Sequence, residues 1–182
     1  SLIRNLAYHL PTGSPRLTAG SAGAVFYNNT ILSETNVIGA SNVHWRNNLF
    51  LGERSADEIF SVTTLTSYSS SDYNGFRPNP NTDISFRWRA PASTTLVDVT
   101  NPNYEAQLES REFATLTDYA AATGQDRNSV LLDYDIFVNV PPLDARDSES
   151  LQTLYDAADL DFRLRSGSAA IDLSLIHISE PT

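Results

Sequence analysis

His44 and Arg46 stand two residues apart in the run Val43-His-Trp-Arg-Asn-Asn-Leu-Phe-Leu51. Alternate residues of a strand share a face. If Val43 and Trp45 point into a core, His44 and Arg46 emerge together on the opposite face. An imidazole can take up a proton near neutral pH, and a guanidinium can hold a carboxylate through two parallel hydrogen bonds. The earlier run Ala24 to Leu32 has the same pattern and sets Tyr27 beside this pair; the later one sets Tyr68 there. Tyr27, His44, Arg46 and Tyr68 are therefore the candidate substrate-binding patch, with rings for sugar faces and a cation for uronate groups. His44 and Arg46 are also the catalytic candidates. A polysaccharide lyase needs a base for the proton next to a carboxylate and a group that stabilises the resulting enolate. A slip of one residue would turn the whole set inward.

The acids are candidates of a second kind. Asp133 and Asp135, and Asp159 and Asp161, are each spaced to share a strand face. Glycosidase carboxylates must face each other across a cleft, roughly 5–10 Å apart, and the position of these pairs late in the chain favours capping or turn roles. Calcium is the one cofactor such acids could take; otherwise no cofactor is expected. The chain has no cysteine, which excludes disulfides and thiolate metal sites, and no histidine pair at zinc spacing. Asn28-x-Thr30 matches a glycosylation acceptor, but its place in the repeat described next argues against use.

The elements that would position these residues follow from a repeat. The Asn-Asn of residues 47–48 has a counterpart at 28–29, a weaker earlier one in Arg4-Asn5-Leu6-Ala7 and a later one in Ser71-Asp72-Tyr73-Asn74. Aligned on the second polar residue, the copies fall at Asn5, Asn29, Asn48 and Asp72, spaced by 24, 19 and 24 residues (29−5, 48−29, 72−48). One strand and one polar corner per unit suggest strands laid on one another about 4.8 Å apart. Like residues then form a column. An Asn amide both donates and accepts, so it can bond along that column, and it tolerates the left-handed backbone of a corner. Asp72 keeps only the acceptor, which suits the end of a ladder. The expected fold class is all-β, a right-handed parallel β-helix truncated at its N-terminal end, with short helices in the C-terminal segment.

The 182 residues suffice for one domain with a core, and at 41% hydrophobic the chain is not of disordered composition. All twelve basic residues are arginine, and the net charge is −10. That balance disfavours nucleic acid as a partner. No apolar run reaches the ~20 residues of a membrane span. The chain carries no Met and starts inside a repeat, so it is read as a piece of a longer protein with any targeting segment upstream.

Taken in order, residues 1–10 end a partial unit and 11–23 form a loop. Strands are expected at 24–28, 43–47 and 62–68, and residues 83–89 alternate as a strand that would form a hairpin with 95–99. The division runs 1–112 for the repeated units, with an insertion at about 76–99, then 113–172 for a closing segment of the same domain. Phe113 to Gly124 is the clearest helix, capped by Thr115 with Asp118 three residues on and stopped by Gly124. Residues 130–140 return to strand, 148–157 form a second helix, and 160–164 a last strand. Residues 173–182 look like a translated sequencing adapter, a non-native tail.

The runs Phe113-x-x-Leu116-x-x-Tyr119-x-x-x-Thr123-Gly-Gln-Asp126-x-x-Ser129 and Asp161-Phe-Arg-Leu164-x-x-Gly167-Ser168-x-Ala170-Ile-Asp172 are similar to the closing segment of bacterial proteins of the pectin-lyase-like superfamily. Ala169 stands where that family commonly has Pro. The resemblance implies a secreted or envelope-exposed protein acting on or binding an acidic polysaccharide, with a lyase- or glycosidase-like enzyme and a non-catalytic binding or end-capping module as the alternatives; a monomer is expected. It identifies no catalytic residue.

Overall fold

The computed structural model describes residues 2–3, 5–7, 16–17, 22–32, 35–52, 58–65, 68–78, 83–92, 97–98, 100–142 and 156–175. In chain order the first strands are β1 (Leu2–Ile3), β2 (Leu6–Ala7), β3 (Arg16–Leu17), β4 (Val25–Tyr27), β5 (Thr30–Ile31), β6 (Thr35–Ala40), β7 (His44–Arg46) and β8 (Leu49–Phe50). There follow β9 (Phe60–Thr64), β10 (Ser70–Asp72), β11 (Gly75–Phe76), β12 (Phe86–Pro91), β13 (Leu108–Phe113), helix α1 (Leu116–Thr123), β14 (Val130–Leu131), β15 (Phe137–Asn139), β16 (Asp161–Leu164) and helix α2 (Ala169–Leu175).

These strands make four small sheets, ordered β1-β4-β7-β10, β14-β11-β8-β5-β2, β13-β12-β9-β6-β3 and β15-β16. The first two are parallel throughout. In the third, β12 lies parallel to β9 but antiparallel to β13, because a 3-10 turn at Tyr104–Gln107 leads the chain back along β12. The fourth is antiparallel. The expected single all-β right-handed parallel β-helix is thus overturned. The described residues form a mixed set of small parallel and antiparallel sheets with a few helices.

Two clusters of apolar side chains hold the sheets. The first gathers Phe26, Trp45, Phe50, Phe60, Phe76, Phe86, Trp88 and Tyr119. Their rings meet edge-on or offset, as with Trp45 on Phe60 at 5.6 Å and Phe86 on Tyr119 at 5.1 Å, arrangements that suit the ring quadrupole. The second cluster contains Leu32, Leu49, Leu51, Tyr134, Ile136, Phe137 and Leu173. The second sheet separates the two. Ile31, Phe50 and Phe76 face the first cluster, whereas the neighbouring Leu32, Leu49 and Leu51 face the second. This two-sided burial explains why Ile31–Leu32 and Leu49–Leu51 read as continuous apolar runs rather than as alternating ones.

Several local expectations change. The third strand lies at 60–64, not 62–68, and a further strand, β10, follows it. The strand begins at Phe86, and residues 86–89 pair with β9 and β13; of the expected partner 95–99, the described residues Val97 and Asp98 lie outside any strand. The expected loop at 11–23 holds β3. Residues 130–140 are two short strands around a 3-10 turn at Tyr134–Ile136. The expected helix at 148–157 lies largely outside the described residues; its last two positions precede and enter a 3-10 turn at Ala157–Asp159. Helix α1 is capped by the Thr115 hydroxyl, which accepts from the Asp118 amide, and it ends at Gly124 with φ +74°. Phe113 closes β13 and packs on the first cluster. Helix α2 runs on past Asp172, and Leu173 is buried in the second cluster.

Candidate functional site

The asparagine column is built bond by bond. Asn5 Nδ2 donates to Asn29 Oδ1 (3.0 Å), Asn29 Nδ2 to Asn48 Oδ1 (2.8 Å), and Asn48 Nδ2 to Asn74 Oδ1 (3.0 Å). Asn74 Nδ2 then donates to Asp126 Oδ1 (2.9 Å). Each Oδ1 of Asn29, Asn48 and Asn74 also accepts the backbone N–H of the preceding asparagine. Asn29, Asn48, Asn74 and Asp126 are all buried, so these bonds supply the partners that burial demands. The residues just before the asparagines, Asn28, Asn47 and Tyr73, take positive φ (57°, 56° and 56°), the corner conformation that the Asn-Asn pairs suggested.

Asp72 is not in the column. It belongs to β10, pairs with Arg46 on the outward face, and accepts from the backbone and side chain of Asn128 (2.8 and 2.9 Å). The corner in this unit comes two residues later than the alignment of polar residues placed it, so Asn74 takes the position. The carboxylate that ends the ladder is Asp126, which the sequence marked only as a position of the closing-segment run Thr123-Gly-Gln-Asp126-x-x-Ser129. Asn28 of the acceptor motif is exposed; its neighbour Asn29 is the ladder residue.

On the outward face of the first sheet Tyr27 pairs with Arg46, and Val25 with His44. Ser70 follows His44, and Asp72 follows Arg46. Tyr27, His44 and Arg46 are thus brought together. Tyr68 precedes β10, stands 62% exposed and is two residues out of the expected register; its expected place over His44 goes to Ser70. The reason is the same displaced corner.

His44 has both ring nitrogens engaged, Nδ1 with Ser70 Oγ (2.8 Å) and Nε2 with Asn42 Oδ1 (2.9 Å). The Asn42 oxygen only accepts, so Nε2 carries the proton and Nδ1 accepts from the Ser70 hydroxyl. Partial burial, and then the charge of Arg46, hold the imidazole pKa below its ordinary value. Arg46 is half-buried, and among the described residues the only hydrogen bond of its guanidinium, at 3.4 Å, goes to the Trp45 carbonyl. Among the described residues it forms no ion pair, because Asp72 is turned to Asn128. Other arginines are committed to acids: Arg77 to Asp133, Arg87 to Glu58 and Glu112, Arg89 to Glu105, Arg163 to Asp161.

One acid of each pair, Asp133 and Asp161, serves local structure. Asp133 Oδ1 caps the turn at Tyr134 and accepts from Arg77 Nε, both at 2.7 Å. Hydrogen bonds from Arg163 lower the Asp161 pKa to about 2. Among the described residues no group of three or more His, Cys, Asp or Glu is placed to hold a metal ion. No helix among them is long and apolar enough to cross a membrane. Comparison with protein-family models, with curated proteins and with solved structures finds no match.

Proposed function

We propose that the outward face of the first sheet binds an acidic polysaccharide, in a protein that works outside the cell or in its envelope. The observation that carries this reading is the Arg46 guanidinium, half-buried and without a carboxylate among the described residues, next to the exposed ring of Tyr27. A guanidinium already partly stripped of water binds a carboxylate more strongly than one in bulk solvent, and the adjacent ring offers a face to a sugar. The likeness of the closing segment to the pectin-lyase-like superfamily supports the choice of a polysaccharide over other anions. Binding is favoured over lyase chemistry by His44, since the lone pair a base would use already accepts from Ser70.

The test is retention of the protein on pectate, alginate and chondroitin at low and high salt, with absorbance followed for unsaturated ends. The expected result is salt-sensitive binding to at least one of them, lost by tenfold or more in Arg46→Ala and weakened in Tyr27→Ala, without new unsaturated ends. Binding that survives Arg46→Ala would overturn the site, and growth of absorbance would replace the binding module with a lyase.

A further inference from the structure

Asn28-Asn29-Thr30 matches the Asn-x-Ser/Thr triplet that accepts N-linked oligosaccharides, and no other triplet in the sequence does. On sequence grounds its place in the repeat argues against use. The structure removes that objection, because the asparagine column takes the middle residue. Asn29 is 1% exposed and commits its side chain to Asn5 and Asn48. Asn28 lies one residue earlier, on the corner between β4 and β5, and is exposed.

That corner is fixed by its backbone, not by the Asn28 side chain. The Asn28 N–H donates to the Arg46 carbonyl (3.2 Å), and φ is 57°, a conformation asparagine adopts more readily than most residues. Among the described residues the side-chain amide of Asn28 makes no hydrogen bond. The corresponding corner of the next unit differs. Asn47 is half-buried with its Oδ1 enclosed, and Leu49 stands where the triplet needs a hydroxyl. The unit after that has Tyr73 at its corner. Of these corners, all with one backbone shape, only that of Asn28 presents an exposed amide two residues before a threonine.

From this we infer that Asn28 is the acceptor of an N-linked oligosaccharide, added in the compartment outside the cytoplasm to which the proposed function assigns the protein. In the transfer, Asn28 Nδ2 bonds to the anomeric carbon of an oligosaccharide carried on a lipid pyrophosphate. The bond from that carbon to the pyrophosphate oxygen breaks, the amide gives up one proton, and the lipid pyrophosphate leaves. The Thr30 hydroxyl is the group the transferase reads beside the amide. The folded chain accommodates the product. A bulky sugar suits an exposed surface position, and the column keeps its bonds, since none of them uses Asn28.

The test is to secrete the full chain from a eukaryotic cell behind a cleavable signal. Secreted and cell-retained chains are mapped by mass spectrometry before and after an amidase removes N-glycans, which converts a modified asparagine to aspartate. The host supplies the compartment, so failure here counts against Asn28 and leaves the polysaccharide reading to its own test. The expected product carries one glycan, at Asn28, and has the same denaturant midpoint before and after its removal. Thr30→Val keeps a β-branched residue in β5 and removes the hydroxyl, whereas Asn28→Asp keeps a residue that tolerates the corner and removes the acceptor. Both variants should be secreted without glycan. A parent chain unmodified at Asn28 would overturn the inference. So would a parent chain that is glycosylated but retained or less stable while Thr30→Val is secreted, because the folded corner would then not carry the sugar.

Discussion

His44 and Asp126 are the two titratable residues whose environments matter most, and they act in opposite directions. The folded-state pKa of His44 lies below its ordinary value because burial and Arg46 both oppose the imidazolium. Its contribution to stability is therefore complete above the unfolded-state pKa and is lost as pH falls through the folded one. The imidazole resonance should titrate with a midpoint below 6.5, readable by NMR. Protonation adds a positive charge beside Arg46, so affinity for an acidic polysaccharide should rise as pH falls through that midpoint, and His44→Gln should flatten the rise. Asp126 has its pKa raised by burial, which outweighs the bonds from Ser129 and Asn74 that favour the carboxylate. Its folded pKa exceeds the unfolded one, so this residue costs stability as pH climbs from the ordinary aspartate value through the raised one. Asp126 Oδ2 is buried without a hydrogen bond of good geometry. Asp126→Asn can still accept from Asn74, tolerates the φ of 50°, and replaces that oxygen with a neutral donor. The variant should match or exceed the parent in denaturant midpoint at pH 7 and lose the decline that sets in above the ordinary aspartate pKa. A variant less stable than the parent at pH 7 would show that the carboxylate charge is needed at the end of the ladder.

At the scale of the element, the corners are what set the register. Asn48 is fully buried and gives its amide hydrogens to Asn74 Oδ1 and the Phe26 carbonyl while accepting two from Asn29. Removing it strands partners on both sides. Asn48→Ala should destabilise by about 2–3 kcal/mol, measured by denaturant melts, whereas Asn5→Ala at the exposed end should cost a small fraction of that. Gly75 is a tight point of another kind. A Cβ there would lie 2.2 Å from Leu132 Cδ1 and 2.9 Å from Leu49 Cδ2, and Gly75→Ala should cost about 1–3 kcal/mol as those side chains are displaced. The Asn-Asn pairs made two rungs, Asn29 and Asn48, legible in the sequence, since they combine an apolar strand with a corner that needs positive φ, and Asn5 followed from the repeat spacing. The fourth rung was not. Tyr73 takes the corner there at φ 56°, a conformation that its side chain does not advertise. Alignment on the second polar residue of Ser71-Asp72-Tyr73-Asn74 then chose Asp72 over Asn74, and Tyr68 was misplaced by the same two residues. Helix α1 was readable because Thr115, Asp118 and Gly124 mark both ends by local chemistry. The antiparallel return of β13 was not readable, because nothing local to residues 108–113 names β12 as the partner.

For the molecule as a whole, the question is whether the two apolar clusters melt together. They share the second sheet, with Phe50 on one face and Leu49 and Leu51 on the other, so loosening one cluster exposes the back of the strands that support the other. Both tryptophans, Trp45 and Trp88, lie in the first cluster, 6.2 Å apart, and report on it alone. Leu173 lies in the second and is 4% exposed. It belongs to a run whose letters suggested an added tail, yet it packs under β8 with Tyr134 and Phe137. Leu173→Ala should cost about 2–3 kcal/mol, in the lower part of the range for a buried leucine. Because the clusters are joined through one sheet, that loss should appear as a single transition, shifted equally in tryptophan fluorescence and far-ultraviolet circular dichroism. A circular dichroism midpoint that falls while the fluorescence midpoint stays fixed would mean that the C-terminal segment detaches alone, and that the second sheet is stable with one face bare.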